Sequence, residues 1–175
     1  MEDMNLASKI RPGTTSDLIA CQEIERAAGK IFSDWDMDEI AQDEPLSLTE
    51  LGTYCDEQRI WVAVDGQDLP IAYIILDIVD NRAHIEQVSV HTDHGGKRIG
   101  QSLIEQAVSW AREQHMDAVT LTTFRDIPWN APYYERCGFI VIADENVLPG
   151  LREVRLSEAA HGLDRWPRVC MQRIL

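Results

Sequence analysis

Between Ile71 and Phe124 the chain changes how it joins strands, and that change narrows the choice of folds more than any other feature. Ile71–Val79 is a long β-rich run, Asp80-Asn81 is a tight-turn pair, and Ala83–Val90 follows as a second strand. After a glycine-bearing loop, Ile99, Leu103, Ala107 and Trp110 fall on one face of a helix expected over Ile99–Gln114. Val119–Phe124 then reads as a strand again. A hairpin followed by strand–helix–strand combines antiparallel pairing with a crossover connection. The expected class is α/β (α+β), with a mixed central sheet flanked by helices.

The remaining segments fit around that centre. Lys9–Arg11 is a short opening strand before Pro12-Gly13. Ser16 or Asp17 caps a helix running to about Lys30, with Leu18, Cys21, Ile24, Ala28 and Ile31 near helical spacing. Ser33–Leu46 is an acidic segment holding Asp34, Asp36, Asp38, Glu39, Asp43 and Glu44. Ser47 and Glu50 form a capping box for a short helix carrying Leu48, Leu51 and Cys55. Ile60–Val64 leads into an Asp65-Gly66 turn. Asn130 caps a short helix with Pro132 in its first turn, and Gly138 ends it. Phe139–Ala143 reads as a strand, Leu151–His161 as an inserted helix, and Val169–Ile174 as the last strand. The sum is a sheet of about seven strands. With no internal repeat or linker, residues 1–175 read as a single domain.

Charge and composition exclude several classes. No apolar run approaches the roughly 18 residues needed to span a bilayer, and Met1–Lys9 is polar with two acids, unlike a secretory leader. A cytoplasmic location is the default expectation. The formal net charge of −14 opposes binding to nucleic acid and to anionic membranes, and favours a cationic small molecule or a basic peptide. The four cysteines, Cys21, Cys55, Cys137 and Cys170, show no CxxC spacing and read as reduced core residues. His91 and His94 flank Asp93 on a loop without a further ligand at a telling spacing, so no metal is expected.

The chemistry concentrates in Val88–Leu103, where a strand enters a loop holding Gly95, Gly96 and Gly100 and the loop opens a helix. Glycines let backbone N–H groups approach an anion, and a helix N-terminus adds positive potential. Lys97 and Arg98 add mobile charge at the same place, which makes a pyrophosphate cradle. A nucleotide triphosphatase loop fails because Gln101 stands at the lysine position of GxxxxGK[ST], and GxGxxG is absent.

This stretch resembles the phosphate-binding loop of the GNAT superfamily of N-acetyltransferases, whose pattern (Gln/Arg)-x-x-Gly-x-(Gly/Ala) falls on Gly95–Gly100. Gly100 matches the last position, while Gly95 stands for the usual Gln or Arg and Arg98 for the middle Gly. A second block, Trp129–Phe139, is similar to the family's Asn-containing helix ending in Tyr-x-x-x-Gly-Phe. The resemblance implies acetyl-CoA as acyl-donor co-substrate. It places the cofactor at Gly95, Gly96, Lys97, Arg98, Ile99, Gly100, Gln101, Ser102 and Asn130, with backbone groups near Val88 and Val90 facing the thioester. It assigns Tyr134 to the departing thiolate as its proton donor. A base is expected on the strand Ala83–Val90, where alternation puts His84, Glu86, Val88 and Val90 on one side. His84 has an ordinary pKa of about 6.5, while Glu86 also attracts an ammonium, so the two and a water chain stay open. The acidic segment favours a small cationic amine as acceptor. A peptide or protein amine, a non-catalytic acyl-CoA sensor and homodimerisation remain alternatives.

Overall fold

A computed structural model describes residues 8–175, and the stretch Met1–Ala7 of the polar N-terminal segment lies outside them. The strands are β1 Lys9–Pro12, β2 Ile60–Val64, β3 Pro70–Val79, β4 Arg82–Val90, β5 Ala118–Phe124, β6 Ile140–Val141 and β7 Arg168–Ile174. The helices are α1 Leu18–Gly29, α2 Asp38–Ala41, α3 Leu48–Asp56, α4 Ile99–Glu113, α5 Ala131–Arg136 and α6 Pro149–Ala160. The strands form one seven-stranded mixed sheet in the order β1-β2-β3-β4-β5-β7-β6. The chain divides into two compact units: residues to Ile75 with Gln87–Ile104, and Leu76–Glu86 with Glu105–Leu175.

In the first unit β1, β2 and β3 pair antiparallel, with Lys9 opposite Val64 and Ile60 opposite Ile75. Leu18, Cys21 and Ile24 of α1 and Leu51 of α3 bury their side chains against Ile60, Val62, Val64, Tyr73 and Ile75. The Ser47–Glu50 capping box forms as its sequence dictates, Ser47 Oγ accepting from Glu50 N and Glu50 Oε1 from Ser47 N. One local expectation needs correction. The Asp65-Gly66 turn is a five-residue loop, because the Asp65 carboxylate accepts from the N–H groups of both Gln67 and Leu69 and closes a wider ring. The acidic segment has short elements of its own. A 3₁₀ turn at Lys30–Trp35 and α2 fill it, pinned by Met37, which is 1% exposed.

In the second unit β5 pairs with β7 along its whole length, from Ala118–Ile174 to Phe124–Arg168. β6 adds only Ile140 and Val141, shorter than the Phe139–Ala143 expected. Ala107, Val108 and Ala111 of α4 are fully buried. α6 begins earlier than its apolar pattern shows, because its first turn is capped from a distance. Asp80 accepts from Gly150 N at 2.7 Å and from Leu151 N at 2.9 Å. Asp80 and Asn81 both take positive φ (55° and 57°), as a two-residue hairpin turn requires. A Cβ on Gly150 would lie 2.7 Å from Asp80 Oδ1. Gly150→Ala therefore displaces the cap and is expected to lower stability by about 1–3 kcal/mol in urea unfolding. Asp80→Ala should cost a similar amount, and the double variant clearly less than the sum.

Candidate active site

The parallel ladder between β4 and β5 has two rungs, Ala83–Val119 and His84–Thr120. Its rungs do not extend to Ile85 or Glu86. At the last rung the side chains also meet: His84 Nδ1 lies 3.0 Å from Thr120 Oγ1. His84 is 2% exposed. Burial pushes its pKa down, outweighing the opposite pull of Asp77, Glu158 and Asp80. Glu86, two residues on, is exposed. The two candidate bases therefore occupy different settings, one sealed and uncharged and the other reaching water. Thr120 is not legible as a site residue in the sequence, because the register of a crossover pair is set by the intervening helix and not by local residues.

The Tyr134 block folds as its glycine dictates. Gly138 takes φ 93°, and the Phe139 N–H reaches back to Tyr134 O at 3.0 Å, closing α5 with a left-handed turn. The Tyr134 ring meets Tyr133 and Phe139 edge-on, at 5.4 and 6.0 Å between centroids. Burial, helped by Cys137, pushes its phenol above the ordinary range. Asn130 precedes α5 but its side chain does not cap it. Instead Nδ2 donates to Trp129 O at 3.3 Å, and Oδ1 is buried with no donor. Burial raises the Cys137 thiol, which fits a packed residue and not a nucleophile.

The glycine loop is held from below. His91 N–H donates to Ile71 O, His91 Nδ1 accepts from Asp93 N–H, and the N–H groups of His94 and Gly95 bond His91 O and Thr92 O. Gly96 then takes φ 80° and Arg98 φ 57°, and α4 starts at Ile99. From Gly96 to Gln101 no backbone N–H has an acceptor among the described residues. Such a run of donors at a helix start suits a phosphate group. Ser102 does not join it, since its N–H and hydroxyl both turn back to Arg98 O. Lys97 Nζ lies 3.3 Å from His94 Nδ1. Val88 and Val90 are half-buried. Arg98 departs from the family pattern, yet the turn is formed: an arginine occupies the left-handed conformation a glycine would take. No group of three side chains able to hold a metal occurs among the described residues.

A profile of the acetyltransferase (GNAT) family matches residues 21–139. Solved structures share the fold. Rv2747 from Mycobacterium tuberculosis in complex with CoA is 19% identical over 95% of this chain and 99% of that one, with a TM-score of 0.68. A GNAT-family acetyltransferase from Staphylococcus aureus Mu50 is 15% identical, covering 97% and 99%, with a TM-score of 0.71. PaiA N-acetyltransferase from Thermoplasma acidophilum, in complex with coenzyme A, is 16% identical, covering 97% and 100%, with a TM-score of 0.66.

Two measurements check this geometry. His84 takes up its proton near pH 6.5 when unfolded and only at lower pH when folded. Its contribution is therefore fully present above about pH 6.5 and lost as pH falls below it, by at most about 1.4 kcal/mol per pH unit. Urea unfolding of His84→Gln between about pH 7.5 and 5 should show a flatter pH dependence than the wild type. Arg98→Gly relieves a left-handed side chain but gives the unfolded chain more backbone entropy. The relief of strain outweighs that entropy, so the free protein should gain up to about 1 kcal/mol in the same assay.

Proposed function

The chain belongs to the acetyltransferase (GNAT) family and is an acetyl-CoA-dependent transferase, and on that premise we propose that it acetylates a primary amine of a small cationic compound by direct attack. The observation that carries the acceptor class is the exposure of all six carboxylates between Asp34 and Glu44 in a chain of net charge −14. Even the pair that Glu44 makes with Arg26, at 3.2 Å, lies at the surface. A field of that sign raises the local concentration of ammonium compounds and repels acidic ones.

The residues present fit the donor. The amides of Gly96–Gln101 would hold the diphosphate. Asn130 Oδ1, buried without a donor among the described residues, would accept from an amide N–H of the donor. Acetyl-CoA supplies a thioester whose carbonyl carbon is open to attack.

In the reaction the neutral amine nitrogen would bond that carbon, the carbon–sulfur bond would break, and the proton shed by the acylated nitrogen would pass to the departing sulfur to give the free thiol. Glu86 draws the ammonium in and takes its surplus proton, directly or through water. Tyr134 donates a hydrogen bond to the leaving sulfur. His84, buried and neutral, holds the last rung of β4 and β5 and leaves the base role to Glu86. No covalent enzyme intermediate forms.

Isothermal titration with acetyl-CoA, followed by thiol release against amine and peptide panels, tests the reading. Saturable binding and fastest turnover with small polycationic amines are expected. Preference for neutral amines or for peptides overturns the acceptor class, and binding without thiol release marks a sensor. Tyr134→Phe should lower kcat by about 10- to 100-fold while the acetyl-CoA Kd stays within about twofold. An unchanged kcat removes Tyr134 from the mechanism.

A further inference from the structure

In the turn before α4 one cation is kept in a strained conformation and left without a partner. Arg98 takes φ 57°, which glycine adopts without penalty and a side chain does not. Its guanidinium is exposed and makes no hydrogen bond or ion pair among the described residues. Ser102 holds the Arg98 carbonyl through its N–H and hydroxyl, but no contact among the described residues uses the side chain, so the use of that side chain is to be sought in a ligand.

Coenzyme A carries two separate anionic groups, a diphosphate and a monoester phosphate on the ribose 3′ oxygen. The six free amides of Gly96–Gln101 are directional and fixed, and suit the diphosphate. The second phosphate needs a charge on a reaching side chain. Lys97 is tied to His94 at 3.3 Å, His91 commits Nδ1 to the Asp93 N–H, and Gln101 is neutral. Arg98 is the cation of this turn not otherwise engaged, and its planar fork matches phosphate oxygens. The need for a local cation is heightened by a chain of net charge −14 that must bind a polyanion. We propose that Arg98 reads the 3′-phosphate and sets the enzyme's preference for CoA over 3′-dephospho-CoA, a step that rests on acetyl-CoA being the donor.

Titration calorimetry of CoA and 3′-dephospho-CoA against the wild type, Arg98→Gly and Arg98→Ala tests this. The wild type should prefer CoA by about five- to tenfold, shrinking at about 0.5 M salt. Both variants should lose that preference while binding 3′-dephospho-CoA as the wild type does. Alanine keeps the left-handed strain and glycine relieves it, so a loss common to both belongs to the charge. Preference retained in both variants overturns the proposal, as does an equal loss for both ligands, which would put Arg98 on the diphosphate. A loss confined to Arg98→Ala assigns the effect to the backbone and overturns it as well. A wild type that binds neither ligand overturns the donor assignment itself.

Discussion

Parallel pairing between β4 and β5 rests on Ala83–Val119 and His84–Thr120, and these two rungs fix where the strands meet. A backbone group on a strand edge must find a partner or stay in water. β5 meets this need on its other side, where β7 pairs with it over its full length. The His84–Thr120 contact sits on the last rung, so a buried side-chain pair reinforces the backbone pairing there. An unsatisfied partner there would cost more than the bond contributes, which holds the rung in place.

The inserted helix α6 is secured at both ends by charge, with a small apolar contact between. Asp80 holds its first turn, and Leu151 packs with Ile142 and Cys170. Near its end Glu158 accepts from Thr122 Oγ1 at 2.6 Å, from Arg168 at 3.0 Å and from Arg155 at 3.1 Å. The Arg168 side chain is 8% exposed and lies over the Phe124 ring at 4.5 Å. Its Nε is buried without an acceptor. Removing ions from water costs about as much as their attraction contributes, so this network adds little net stability. What it adds is position. Glu158 bonds three side chains from different places in the chain, and one location of α6 satisfies them together.

Features that depend on neighbouring residues are legible in the sequence. Asp80-Asn81, the Ser47–Glu50 box, the Gly138 turn and the apolar face of α4 each form where their residues lie, because each is fixed by a few adjacent groups. Features set by distant partners are not legible. The meeting of His84 with Thr120 depends on how α4 carries the chain back to the sheet. The early start of α6 depends on Asp80, far away in sequence. Asn130 occupies a capping position, but its side chain turns to Trp129. The Gly95-to-Arg98 turn lies between these cases. Its loop and helix are legible, while Arg98 reads as a departure from the family pattern. The backbone angle shows that the turn survives the change.

The state of Tyr134 decides what that residue can do. An ordinary phenol has a pKa near 10 and a thiol one near 8.5, and burial pushes Tyr134 further up. Full proton transfer from this phenol to a departing thiolate is then uphill by at least about 2 kcal/mol in the resting protein. A hydrogen bond to the sulfur carries no such cost, and it strengthens as negative charge develops there in a dry setting. The raised value keeps the phenol protonated, as the proposed role requires. In the proposed reaction the proton that leaves with the thiol comes from the attacking amine, which must lose one in any case. On the proposed reading Tyr134 steadies the leaving sulfur and Glu86 takes the ammonium proton, a division that suits a half-buried phenol with a raised pKa and an exposed carboxylate.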